Sequence, residues 1–297
     1  MTDALVETAS SGARPKVWLH RGAHKTASTH FNRLLRKNHA LTEAYDLATP
    51  KKESIRSLVT RRLGEAPNPE HRALPELLEG RGALFLSDEN ILGTPNRLFQ
   101  DGLMYPSAAH RLRGALAILE GGDVELMLAI RDPATFVVSS YGEAMRAYGY
   151  MDFRSYFDET PLTALRWPRL VRRLLRAAPT CRMTVWTYER YLETVPQLMK
   201  QLLNVPQDAA PLPILPLEAV VRPGLSQRAI EAIRDFCEGH AEAPEQASIE
   251  DFINAYPKST ENPAPDPWTG PEKEALAQQY QRDLKVLASL ERVRFLG

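Results

Sequence analysis

The residues best suited to chemistry lie close together near the start of the chain: Lys25, Thr26, Ser28 and Thr29, set around the small residue Ala27. One cation and three hydroxyls within five positions are donors for an anion, a phosphate above all. His20 and His24 stand just upstream, and Asp88-Glu89, Arg131 and Tyr188 follow, each at the end of an apolar run. A carboxylate at such an end can take a proton, a guanidinium can hold a second phosphate, and an aromatic ring can stack on a base.

These residues need elements to position them. Val17 to Leu19 reads as a short buried strand, and Phe31, Leu34 and Leu35 fall on one face of a helix that follows a small-residue loop. Ser28 or Thr29 stands where a capping hydroxyl is expected. A strand–loop–helix turn aims several backbone N–H groups at one spot with the helix dipole behind them, which is an anion site. Further strands are expected at Ala83–Ser87, Val124–Ile130 and Met183–Thr187. The spacing predicts helices over 107–120, 135–147, 226–238 (capped by Ser226) and 271–290, and a loop over 91–105. Residues 40–80 read as helices and loops.

Strands alternating with helices predict an α/β fold with a central parallel β-sheet flanked by helices. Residues 1–15 are small and polar and read as a disordered tail, leaving 16–297 as one domain with long loops. In such sheets, ligands bind at the carboxyl ends of the strands, where Lys25, Glu89, Arg131 and Tyr188 all fall.

Lys plus Arg and Asp plus Glu number 37 each, so no global basic field points to nucleic acid and any anion site is local. Two cysteines, Cys181 and Cys237, are too few for a disulfide framework or a zinc site. The first residues lack an apolar signal core, and no run approaches the roughly 18 apolar residues that span a bilayer. The expectation is a cytoplasmic protein without a membrane span.

The order of the loop residues separates two kinds of phosphate site. An ATP or GTP P-loop reads Gly-x-x-x-x-Gly-Lys-Ser/Thr, whereas here Lys25 precedes the small residue. Lys25-Thr26-Ala27-Ser28-Thr29 instead resembles the 5′-phosphosulfate loop of sulfotransferases, roughly Lys-x-Gly-Thr-Thr, with Ala for Gly and Ser for Thr. Alanine keeps the loop small but disfavours positive φ. Arg131-Asp132-Pro133 with Ser139 eight residues after the arginine is similar to that family's 3′-phosphate motif. Thr187-Tyr188-Glu189 resembles its adenine-contacting pair, and Arg222-Pro223-Gly224 more loosely its closing Arg-Lys-Gly. Gly22-Ala23-His24-Lys25-Thr26 is closest to bacterial members with a P-loop NTPase-like fold.

The resemblance implies transfer of a sulfuryl group from 3′-phosphoadenosine 5′-phosphosulfate (PAPS) to a hydroxyl or amine of a small-molecule, lipid or carbohydrate acceptor, without a metal. It gives Lys25 the leaving phosphate, Thr26 to Thr29 the 5′-phosphate, Arg131 and Ser139 the 3′-phosphate, and Tyr188 the adenine. His24 lies within reach of donor or acceptor, and His20 packs at the strand end. Glu89 is the candidate general base with Asp88 in reserve. The proline-rich loops and residues 40–80 are the expected acceptor walls. A P-loop nucleotide kinase, or a non-catalytic nucleotide-binding relative, is the alternative.

Overall fold

In the computed structural model, residues 14–64, 70–157, 160–217, 224–239 and 246–297 are described. The sequence's expected tail lies almost wholly outside them, as do Arg222 and Pro223.

Strand β1 (Lys16–His20) leads through the loop into α1 (Ser28–Lys37) and α2 (His39–Ala44). A two-residue strand, β2 (Leu47–Ala48), then precedes α3 (Lys52–Ile55) and α4 (Leu74–Leu78). After β3 (Ala83–Ser87) come a 3-10 turn at Glu89–Ile91 and a small antiparallel hairpin, β4 (Phe99–Gln100) and β5 (Leu103–Met104). Helix α5 (Ala108–Ile118) leads to β6 (Asp123–Ile130), α6 (Pro133–Tyr148), α7 (Phe153–Tyr156) and α8 (Trp167–Ala177). The rest is β7 (Met183–Thr187), α9 (Tyr191–Leu202), α10 (Gln227–Gly239), α11 (Gln246–Ala255), α12 (Gly270–Ala288) and β8 (Val293–Leu296).

Six strands form one sheet in the order β2-β3-β1-β6-β7-β8, every pair parallel. Both faces are covered, which is why the central strands are apolar throughout. Alternate residues of β1 supply the two cores. Val17 and Leu19 join a layer built with α5, α6, α8 and α12, while Trp18 joins Phe31, Phe85, Met127 and Trp186 under α1 and α9. No helix among the described residues is long and apolar enough to cross a membrane.

The sheet order reverses at β1, with β3 on one side and β6 on the other. The crevice at the carboxyl end of that point is where open parallel sheets take ligands, and the loop after β1 opens into it. Helix termini here follow local chemistry. Asp132 caps α6 by accepting from the Thr135 N–H, with Pro133 in the first turn. Ser226 Oγ accepts from the Ala229 N–H at 3.1 Å to cap α10. Thr269 and Glu272 form a reciprocal capping box on α12.

Candidate functional site

The loop after β1 is pinned as an extension of the sheet: the Ala23 N–H donates to the Ala129 carbonyl and the Ala129 N–H to the Gly22 carbonyl, both at 2.8 Å. Gly22 has φ +97°, and a Cβ there would lie 3.3 Å from the Glu89 Cβ, so glycine lets the loop lie against the β3 end. Lys25 and Ala27 take left-handed conformations, φ +59° and +67°. Ala27, not Ser28, is the residue before α1, and it makes no side-chain cap. The expected capping hydroxyl is engaged elsewhere, since Ser28 Oγ donates to Glu89 Oε2 at 2.6 Å. The loop thus adopts the backbone a glycine would favour despite its alanine, at a cost of roughly 1 kcal/mol. Ala27→Gly is expected to stabilise the protein by about 0.5–1 kcal/mol in urea unfolding, less than the full strain because glycine loses more chain entropy.

Lys25 Nζ lies 3.3 Å from Glu143 Oε2 on α6, both side chains about one-fifth exposed. Thr26 Oγ1 donates to the Ala23 carbonyl at 2.7 Å, and Thr29 is exposed in the first turn of α1. Glu89, on the 3-10 turn after β3, lies 3.5 Å from Lys52 Nζ besides accepting from Ser28. Burial would raise its carboxyl, but His24, Lys52, the Ser28 hydroxyl and Lys25 outweigh burial and hold it at about 2. Asp88, the reserve candidate, is turned away. It is fully buried, accepts from Thr60 Oγ1 at 2.8 Å and from the Asn90 N–H at 3.2 Å, and caps the turn.

Both histidines are built into the protein. His20 is buried between Phe85 and Trp186 with Nδ1 2.9 Å from Ser87 Oγ, and burial pushes it down to about 4. His24 donates its backbone N–H to Tyr105 Oη at 3.0 Å. Its Nδ1 lies 2.9 Å from the same oxygen and its Nε2 3.1 Å from Asn90 Oδ1. Burial lowers the pKa of the ring, while the Glu89 carboxylate and the Asn90 side-chain oxygen act against burial. Both ring nitrogens are occupied by protein, so His24 shapes the loop and keeps neither nitrogen for a ligand.

Arg131 ends β6 and reaches back to the loop: Nη1 donates to the Lys25 carbonyl at 3.1 Å, and Nε to Thr135 Oγ1 at 3.0 Å. Its guanidinium lies 4.5 Å over the Tyr188 ring at the end of β7. The Arg131 carbonyl accepts from the Trp167 indole at 2.7 Å. Glu189 joins the neighbouring elements, accepting from the Asp132 N–H at 2.8 Å and from the Tyr280 hydroxyl of α12 at 2.9 Å. Ser139 lies half-buried on α6 and makes no side-chain hydrogen bond among the described residues.

The structure thus joins Lys25, Arg131 and Tyr188 through the Arg131 guanidinium and Ser28 to Glu89, while no hydrogen bond links Ser139 to Arg131 among the described residues. Glu143, Lys52, Thr135 and Tyr105 were not read from the sequence. Glu143 carries a signal, standing one helical turn beyond Ser139; the others meet the site only through the fold. A pocket of about 540 Å³ lies beyond the Glu89 turn, and none of Lys25, Ser28, Glu89, Arg131 and Tyr188 lines it. Thr94, Asn96, Arg97, Ser107, His110 and Tyr148 contribute to its wall, and only Leu63 comes from the stretch expected to form it. Among the described residues there is no group of three or more His, Cys, Asp or Glu side chains placed to hold a metal.

No family profile matches the chain, and no curated protein matches it. Solved structures similar to it include two sulfotransferases and a retinol dehydratase. A sulfotransferase from Alicyclobacillus acidocaldarius is 17% identical, with 82% of this chain and 95% of that one covered and a TM-score of 0.40. The sulfotransferase domain from the curacin biosynthetic pathway is 11% identical over 91% of this chain and 99% of that one, TM-score 0.42. A retinol dehydratase in complex with androsterone and the inactive cofactor PAP is 16% identical over 94% and 82%, TM-score 0.32.

Proposed function

We propose that this chain is a PAPS-dependent sulfotransferase acting on a hydroxyl of a polar acceptor. The observation that carries the reading is the joining of three strand ends through Arg131, which touches the Lys25 carbonyl on one side and the Tyr188 ring on the other. A 5′-phosphate at the loop, a 3′-phosphate at Arg131 and an adenine against Tyr188 are the three parts of one nucleotide.

The loop fits an anion because carboxylates already sit where phosphate oxygens would. Glu143 takes the Lys25 ammonium and Glu89 the Ser28 hydroxyl. A donor phosphate replaces both, which frees Glu89 from one of the contacts that depress its pKa. Glu89 then takes the proton of the acceptor hydroxyl as the acceptor oxygen bonds to sulfur. The bond from sulfur to the 5′-phosphate oxygen breaks, and Lys25 neutralises the charge that builds on that oxygen. Arg131 supplies selectivity for a 3′-phosphate, which ATP lacks.

The pocket wall described above supports a hydroxyl-rich acceptor such as a sugar. It carries Arg97, His110 and Arg111 beside the Ser107 hydroxyl, the Thr94–Asn96 hydrogen-bonded pair and the exposed Tyr148 ring, and it borders the Glu89 turn, the segment carrying Tyr105, and α6 with Glu143. Calorimetric titration of 3′,5′-adenosine bisphosphate, with ATP plus Mg²⁺ as comparison, tests the donor reading. The wild type is expected to prefer the bisphosphate, and Arg131→Ala to lose that preference by about tenfold or more. Binding of ATP–Mg²⁺ without the bisphosphate would install a nucleotide kinase in its place.

A further inference from the structure

Away from the residues at the strand ends, α8 carries a concentrated positive charge. Its sequence, WPRLVRRLLRA, contains four arginines and no acidic residue. Arg169, Arg172, Arg173 and Arg176 follow the i, i+3, i+4, i+7 spacing and share one face, so their charges repel one another. Together with Arg166 they rim a pocket of about 220 Å³ with an apolar floor formed by Leu103, Met104 and Leu170. None of Lys25, Glu89, Arg131 or Tyr188 lines it.

Three of the five arginines hydrogen-bond to the protein: Arg166 pairs with the buried Asp283, Arg173 donates to the carbonyls of Met104 and Tyr105, and Arg176 Nε donates to the Arg172 carbonyl at 3.4 Å. Arg169, Arg172 and Arg176 are exposed and pair with no carboxylate among the described residues. Acid and base are balanced over the whole chain, so a face with unpaired guanidiniums around an apolar floor is a local device. Guanidinium forks match phosphate and carboxylate oxygens two at a time, and the floor accepts an apolar body.

We propose that the α8 pocket is a binding site for a small organic anion carrying two or more phosphate or carboxylate groups, separate from the nucleotide crevice. The proposal does not rest on the sulfotransferase reading.

Pyrophosphate is a suitable probe, titrated calorimetrically at a fixed ionic strength near 0.15 M. Because the loop can also take phosphate, Lys25→Ala is the background. That protein is expected to bind pyrophosphate, and adding Arg169→Ala and Arg172→Ala is expected to weaken binding about tenfold or more, the effect of losing charged hydrogen bonds. Arg176→Gln alone, a milder change at an exposed position, is expected to weaken it severalfold and guards against misfolding of the multiple variant. Equal affinity with and without the arginines overturns the proposal. So does binding to vesicles of anionic phospholipid by a protein that ignores soluble pyrophosphate, because the face would then read a lipid surface.

Discussion

Lys25→Ala is expected to weaken 3′,5′-adenosine bisphosphate binding about 10- to 100-fold, while Glu143→Gln strengthens it severalfold. Both effects follow from one contact. Lys25 Nζ and Glu143 Oε2 are 3.3 Å apart and largely shielded from water, so the carboxylate competes with any incoming phosphate for the same ammonium. Removing the ammonium costs a charged hydrogen bond worth about 1.5–3 kcal/mol. Removing the carboxylate's charge leaves the ammonium attracting phosphate with its nearest rival gone. Among the described residues Lys25 makes no other side-chain hydrogen bond or ion pair, so its loss is expected to leave stability nearly unchanged. Calorimetry on the two variants and a urea melt separate these outcomes. Weaker binding in Glu143→Gln would show that Glu143 positions Lys25 and does not compete for it.

Arg21→Met is expected to stabilise the protein by about 2–4 kcal/mol. The Arg21 side chain is 0% exposed, and none of its three guanidine nitrogens has a hydrogen-bond partner among the described residues. Burial pushes it down to about 9, against a weak opposing influence from Cys181. The displacement corresponds to about 4–5 kcal/mol at about 1.36 kcal/mol per pH unit, an upper bound on what the buried charge costs near neutrality. Methionine is flexible and apolar, and it fills much of the same space without charge. A denaturant melt at about pH 7.5 measures the gain, and a methionine variant less stable than wild type there would mean the guanidinium has a favourable role in this core.

Strands with a continuous apolar run were legible: β1, β3, β6 and β7 lie within a residue or two of their expected ends. Burial on both faces writes itself directly into composition. The short edge strands β2 and β8 were missed, as was the β4–β5 hairpin inside the expected loop, because two to four residues carry too little pattern and their pairing comes from neighbours distant in sequence. Helix ends with a chemical signature, such as Ser226 before α10, were readable. Ser28 was not, because its hydroxyl serves Glu89, 61 positions away. In the site, the strand-end positions of Lys25, Glu89, Arg131 and Tyr188 followed from the alternation of elements. Their partners Lys52, Thr135 and Tyr105 did not, since each meets the site through packing that one-dimensional spacing does not encode.

The Glu189 carboxylate binds both the Asp132 N–H and the Tyr280 hydroxyl, so the turn that carries Arg131 is held by a helix near the opposite end of the chain. Loss of the Tyr280 hydroxyl in Tyr280→Phe is therefore expected to loosen that turn while the sheet stays intact, seen as faster amide exchange at Asp132.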